Sequence, residues 1–103
     1  MVFDPKRRYK FLCCCGAGLG TSQMLKSRLV QVCRTRGIDA TVDVCSVSEG
    51  TGSCLRYDAT FCNKGLLKAF EKSVAKGATL YGLNNVIDIK EIGEVLDTFF
   101  DGN

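Results

Sequence analysis

Residues Tyr9 to Ser22 read YKFLCCCGAGLGTS. The first seven form a short apolar run stopped by glycine, the pattern of a buried β-strand. The residues from Thr21 to Arg36 then take helical spacing. Leu25, Leu29, Val32 and Cys33 share one face, with Ser27, Gln31 and Arg34 on the other. Arg34 and Arg36 fall in the last turn, where cations face the negative end of the helix dipole, and Gly37 follows as a C-terminal cap. A strand, a glycine-rich turn and an amphipathic helix in this order open an α/β domain.

The pattern repeats outward along the chain. Ala40 to Cys45 (ATVDVC) alternates and is rich in β-branched residues, which predicts a second strand. Ser46 to Arg56 holds two glycines and three serines and reads as a loop with room for one helical turn. Asp58 to Cys62 is a third strand. Leu66, Leu67, Phe70 and Val74 mark an amphipathic helix closed by Gly77, and Ala78 to Leu83 a fourth strand. In the last helix Asp88 is the cap, Glu91 completes a capping box, and Ile87 staples onto Ile92. Ile92, Val95, Leu96 and Phe99 form its buried stripe. Strands alternating with helices imply a parallel sheet covered on both faces by right-handed crossovers. The expected architecture is one α/β domain of flavodoxin-like type, with four parallel strands in the order 2-1-3-4. Residues 1–8 form a basic N-terminal extension and residues 9–103 the domain. Ligands of such sheets bind beyond the carboxyl ends of the strands, where Cys15 falls.

Composition narrows the function. A chain of 103 residues, 46% apolar and 24% charged, is an ordinary globular domain. A formal charge of +3 suits an anionic ligand but is too small to point to nucleic acid. No apolar run nears the ~20 residues needed to span a bilayer, and no secretion signal follows the basic start. The Lys6, Arg7, Arg8 cluster reads as a solvated terminus. Seven cysteines without an export signal point to a reduced, cytoplasmic chain. There is no C-x-x-C pair and no histidine, so no metal site and no cofactor is expected. Without histidine there is also no Ser–His or Cys–His couple, so a nucleophile must be activated by its backbone surroundings.

The turn Cys15-Gly16-Ala17-Gly18-Leu19-Gly20-Thr21-Ser22 supplies such surroundings. Its glycines allow close approach of the main chain, and successive N–H groups at a helix start make a concave anion site. Thr21 and Ser22 can cap the helix or donate to phosphoryl oxygens. The same field lowers the pKa of a thiol at Cys15 below ~8.5. The plainer reading is a tight turn with a buried cysteine. A cysteine at the strand end together with Thr-Ser at the helix start favours phosphoryl chemistry instead. The turn lacks the Gly-Lys-Ser/Thr of a nucleotide P-loop and the G-x-G-x-x-G of a dinucleotide site. The remaining cysteines are expected to be packing residues. Cys13 and Cys14 should point to opposite faces of the first strand, Cys33 and Cys45 belong to their elements, Cys62 ends the third strand, and Cys54 is the one expected to be exposed.

The run CGAGLGTSQML (Cys15 to Leu25) resembles the IIB component of the bacterial phosphoenolpyruvate-dependent sugar phosphotransferase system, a lactose-like fold, and most of all its ascorbate and galactitol group. RGIDATVDVCSVSE, YDATFCN and GLNNVIDIKEI extend the likeness more loosely over nearly the whole chain. The resemblance implies that Cys15 accepts a phosphoryl group from a phosphohistidine on a IIA component. It then passes the group to a sugar bound by a membrane IIC permease, with Gly16, Ala17, Gly18, Leu19, Gly20, Thr21 and Ser22 as phosphate cradle. Leu19 and Met24 are candidates to face the partners. The triple cysteine and the glycine-rich 46–56 segment depart from the family pattern. A low-molecular-weight tyrosine phosphatase, the enzymatic rival, needs an arginine six residues after its cysteine, where this chain has Thr21. A regulatory module that keeps the same fold is the non-enzymatic rival. A thiol redox role is disfavoured because no C-x-x-C partner accompanies Cys15.

Overall fold

A computed structural model describes residues 4, 6–15 and 19–101, apart from the side chains of residues 15, 19–22 and 101. Four parallel strands stand in the order β2-β1-β3-β4, as expected: β1 Tyr9–Cys15, β2 Ala40–Ser46, β3 Ala59–Asn63 and β4 Leu80–Leu83. Helices α1 (Leu19–Thr35), α2 (Val47–Ser53), α3 (Glu71–Ala75) and α4 (Ile89–Asp101) cover the sheet. Among the described residues no helix is long and apolar enough to cross a membrane.

The pleat divides the core. Tyr9, Phe11 and Cys13 of β1 join Leu25, Leu29, Val32 and Cys33 of α1 and Ile92, Leu96 and Phe99 of α4 on one face. Leu12 and Cys14 join Cys54, Cys62 and Phe70 on the other. Successive strand residues thus serve two separate cores, which is why β1 reads as a continuous apolar run rather than an alternating one. The consecutive Cys13 and Cys14 are split between them, as expected.

Gly37 and Gly77 close the helices before β2 and β4 with φ of 70° and 108°, a region open to glycine at little cost. The basic start is exposed, as expected, and two of its cations also make surface ion pairs. Arg7 pairs with Asp58 and lies 4.8 Å over the Tyr9 ring, and Arg8 pairs with Asp39. These contacts gather at the amino end of the sheet, opposite the edge where Cys15 ends β1.

Two segments differ from their sequence reading. The 46–56 segment is more helical than a loop with a single turn: α2 runs through both glycines and a 3₁₀ turn, Cys54–Arg56, follows. Ser46 caps α2 by accepting from Glu49 N–H, while its hydroxyl donates to Glu49 Oε1. Cys54 is buried inside this turn instead of exposed. The second departure lies between β3 and β4. Residues Lys64–Phe70 wind as a 3₁₀ helix before α3, so the inward residues recur every three positions. Leu67, Phe70 and Ser73 turn inward, and Val74, expected in the buried stripe, is 49% exposed. Ser73 satisfies its hydroxyl by donating to the Thr51 carbonyl at 2.8 Å. Gly82 lets this segment lie on β4, because a Cβ there would come within 2.6 Å of Leu67 Cδ1.

Candidate functional site

Cys15 is the last residue of β1 and pairs in register with Ser46, the last residue of β2. Asn63 ends β3 and pairs with Leu83, the last residue of β4. All four strands therefore stop along one carboxyl edge, and Cys15 sits on a central strand of it. Helix α1 starts at Leu19, two residues earlier than its spacing suggests. Only residues 16–18 separate the strand from the helix; they lie outside the described residues, and so do the side chains of Cys15 and of residues 19–22.

The earlier start changes what this segment presents. Leu19, Gly20, Thr21 and Ser22 belong to the first turn of a 17-residue helix. The first four N–H groups of any α-helix lack intrahelical acceptors, and the dipole adds partial positive charge at that end. Four backbone donors thus follow within seven residues of Cys15. Met24, one turn further, is 48% exposed while its neighbour Leu25 is buried in the core.

Burial disfavours the thiolate at five of the other thiols. Burial pushes Cys13 and Cys14 far above the ordinary value of 9.0, and it takes Cys33 and Cys62 to about 11. Cys45, only half-buried, is also raised, chiefly by desolvation. At Cys13 the positive charge of Lys26 works against the shift without overcoming it. A neutral thiol is a weak nucleophile, so these five side chains are poorly matched to the attack on phosphorus. Among the described residues no group of three or more His, Cys, Asp or Glu is placed to hold a metal ion.

Sequence reasoning passed over the neighbours of this edge. Ser46 and Glu49 build the start of α2 beside Cys15, and the S-x-x-E spacing that signals it is present in SVSE. On the far side, Glu91 does not reach back to its own cap as a capping box would. Its carboxylate accepts from Asn84 N–H at 2.7 Å and Asn85 N–H at 2.9 Å, which pins the turn that leaves β4. Asp88 caps α4 as expected, accepting from Lys90 N–H at 2.9 Å.

The sequence profile of a family described as the phosphotransferase-system lactose/cellobiose-specific IIB subunit matches residues 10–98. Among solved structures, the lactose-specific IIB component domain of the phosphoenolpyruvate:carbohydrate phosphotransferase system from Streptococcus pneumoniae is similar. Its TM-score is 0.67 at 15% identity, with 92% of this chain and 97% of that one covered. A likeness at that identity speaks for the fold alone, strand order included. No curated protein matches closely enough to count as a relative. The profile corrects the expected subgroup, since it is of lactose/cellobiose type and not of the ascorbate and galactitol group. A turn read for its phosphoryl chemistry carries no information on the sugar. With the profile spanning most of the chain and the same four-stranded architecture beneath it, the chain belongs to the lactose/cellobiose-specific IIB subunit family and is a phosphoryl carrier of a sugar phosphotransferase system.

Proposed function

We propose that the phosphoryl group is carried on the sulfur of Cys15 as S-phosphocysteine, received from a phosphohistidine of a IIA component and delivered to a sugar held by a IIC permease. The observation that carries this reading is the placement of Cys15 at the carboxyl end of β1, four positions before Leu19, where a 17-residue helix begins. A thiolate there is favoured by the positive end of α1 and by the backbone N–H groups of residues 16–22. The thiols of Cys13, Cys14, Cys33, Cys45 and Cys62 are held neutral by burial.

In the first step the Cys15 sulfur attacks phosphorus in line. The S–P bond forms as the N–P bond to imidazole breaks, and the imidazole nitrogen keeps the electron pair. In the second step a sugar hydroxyl attacks the same phosphorus and the thiolate leaves. Both pass through a loose transition state with charge on the equatorial oxygens, which preorganised N–H donors stabilise. Gly16, Ala17, Gly18, Leu19, Gly20, Thr21 and Ser22 are the donors assigned to this task. No cofactor or metal enters either step. Met24 offers an apolar contact for a partner one turn beyond the site, and Leu19 is assigned the same role. The carrier domain is residues 9–103, preceded by the basic residues 1–8, and the reducing cytoplasm suits its many thiols.

Intact-mass measurement tests the assignment. The chain is mixed with a lactose/cellobiose-type IIA protein charged from phosphoenolpyruvate by the general donor proteins. One phosphoryl group should appear and map to Cys15, and should persist in Cys13→Ser and Cys14→Ser. A phosphoryl group still acquired by Cys15→Ser would overturn the reading.

A further inference from the structure

Cys14 and Cys45 are ladder partners on β1 and β2, and their Sγ atoms lie 3.4 Å apart. Neighbouring strands run ~4.8 Å apart, inside the ~4.4–6.8 Å between Cα atoms that a disulfide bridges. The two sulfurs can therefore meet by side-chain rotation, with the strands left in place. Gly50 of α2 closes over the pair: a Cβ at this position would stand 2.4 Å from Cys14 Sγ and 3.2 Å from Cys45 Sγ. Cys14 is buried and Cys45 half-buried, so Cys45 is the more open residue of the two. The other described thiols have different surroundings. Cys13 lies in the opposite core, Cys54 Sγ faces the Thr51 carbonyl, and Cys62 Sγ faces the Tyr81 carbonyl. Spacing along the sequence hides this pair, because 31 residues separate its members; parallel strand pairing supplies the partner that a C-x-x-C motif would otherwise provide.

We propose that Cys14 and Cys45 are a modification site, converted to a reversible disulfide by an oxidant of the hydroperoxide class. The outer thiol, Cys45, acts first. Its minor thiolate fraction attacks the peroxide oxygen, the O–O bond breaks, and a sulfenic acid forms as the displaced oxygen takes up the thiol proton and leaves as water or an alcohol. The Cys14 sulfur then attacks the Cys45 sulfur. The S–S bond forms, the S–O bond breaks, and the hydroxide departs with the Cys14 proton as water. Two thiols lose two electrons and the peroxide gains them. The bond fastens β1 to β2 one residue before Cys15 and Ser46, and it leaves the Cys15 thiol unconsumed.

The test starts from fully reduced full-length chain treated with hydrogen peroxide at low molar excess, then alkylated and measured by intact mass. The expected product has lost two hydrogens and regains them with dithiothreitol. Fragmentation of the non-reduced peptides should place the bond between Cys14 and Cys45 in the unmutated chain, so the result does not depend on any variant folding. The loss should persist in Cys13→Ser, Cys15→Ser and Cys54→Ser and vanish in Cys45→Ser. A bond that survives Cys45→Ser, a bond mapped to Cys15, or oxidation to sulfinic acid without any bond would overturn the proposal. Phosphoryl uptake plays no part in these measurements, so their outcome is independent of the role assigned to Cys15.

Discussion

Cys15 and Ser46 are the final ladder pair of β1 and β2, so the proposed phosphoryl acceptor and the cap of α2 share one edge of the sheet. Helix α2 has seven residues, too few to hold together on propensity alone. Its start depends on Ser46 Oγ accepting from Glu49 N–H. Ser46→Ala should cost about 1 kcal/mol of global stability, the usual value of a lost serine cap. Phosphoryl uptake on Cys15 should keep its one-to-one stoichiometry. Urea denaturation checks the first effect and intact mass the second; an unchanged midpoint would mean that packing alone holds α2.

Gly50 leaves no room for a side chain against Cys14. A methyl group on Gly50 would overlap Cys14 Sγ, and Phe70 Cζ at 3.4 Å blocks the other side. Gly50→Ala should therefore destabilise by roughly 1–3 kcal/mol, the range for overpacked cores. Cys14→Ala removes the atom it strikes, so the double variant should be more stable than the two single losses added together. A coupling of at least ~0.5 kcal/mol is expected for residues in contact. Strict additivity would show that the strain is relieved elsewhere.

Glu91 ties the departure of β4 to the first turn of α4 by accepting from two consecutive backbone N–H groups, those of Asn84 and Asn85. Hydrogen bonds to a charged acceptor are worth more than neutral ones, though exposure weakens these. Glu91→Ala should cost about 1–2 kcal/mol and speed hydrogen exchange at the Asn84 and Asn85 amides. Glu91→Gln, which keeps one acceptor oxygen, should fall between. Exchange rates unchanged in Glu91→Ala would show that those amides are protected by something else.

Much of this fold was legible in the sequence, and the failures have definite causes. The parallel sheet and the two-faced use of β1 follow from apolar runs separated by helical spacing, and the strand order from the flavodoxin-like topology expected of such a chain. Strand bounds moved by two residues at most: β2 gained Ser46, β3 runs over 59–63 in place of 58–62, and β4 starts at Leu80. The 46–56 segment was misread because glycine usually breaks helices. Gly50 is there to make room for two sulfurs, a reason that exists only once β1 and β2 are side by side. The 64–75 segment was misread because spacing was counted at 3.6 residues per turn. Its first half winds at three per turn, which puts Ser73 inward and Val74 outward. At the site, Cys15 could be placed at the strand end from sequence. The first turn of α1 could not be bounded, since a leucine and a glycine ahead of Thr-Ser fit a loop as well as a helix start. The Cys14–Cys45 contact is a product of strand pairing and has no local signal.

Alkaline pH should expose the buried thiols as a stability term. Cys33 and Cys62 rise from an ordinary 9.0 to about 11 in the folded chain, and Cys13 and Cys14 rise further, all chiefly through desolvation of the thiolate. Tyr57 rises from 10.0 to about 12, mainly because its hydroxyl donates to Asp43 Oδ2 at 2.7 Å. In each case the folded state holds its proton to higher pH than the unfolded state does. The contribution is therefore fully present below pH 9 and is lost as pH climbs through 9 to 11 and beyond. Urea midpoints should be flat from pH 7 to about 9 and then fall steeply. Tyr57→Phe should leave the onset near pH 9 in place and flatten the part of the decline between pH 10 and 12. Cys33→Ala should reduce the slope that begins at pH 9, although it lowers the neutral-pH stability through the cavity it leaves. Midpoints that stay level up to pH 11 would mean that these thiols ionise without disturbing the core.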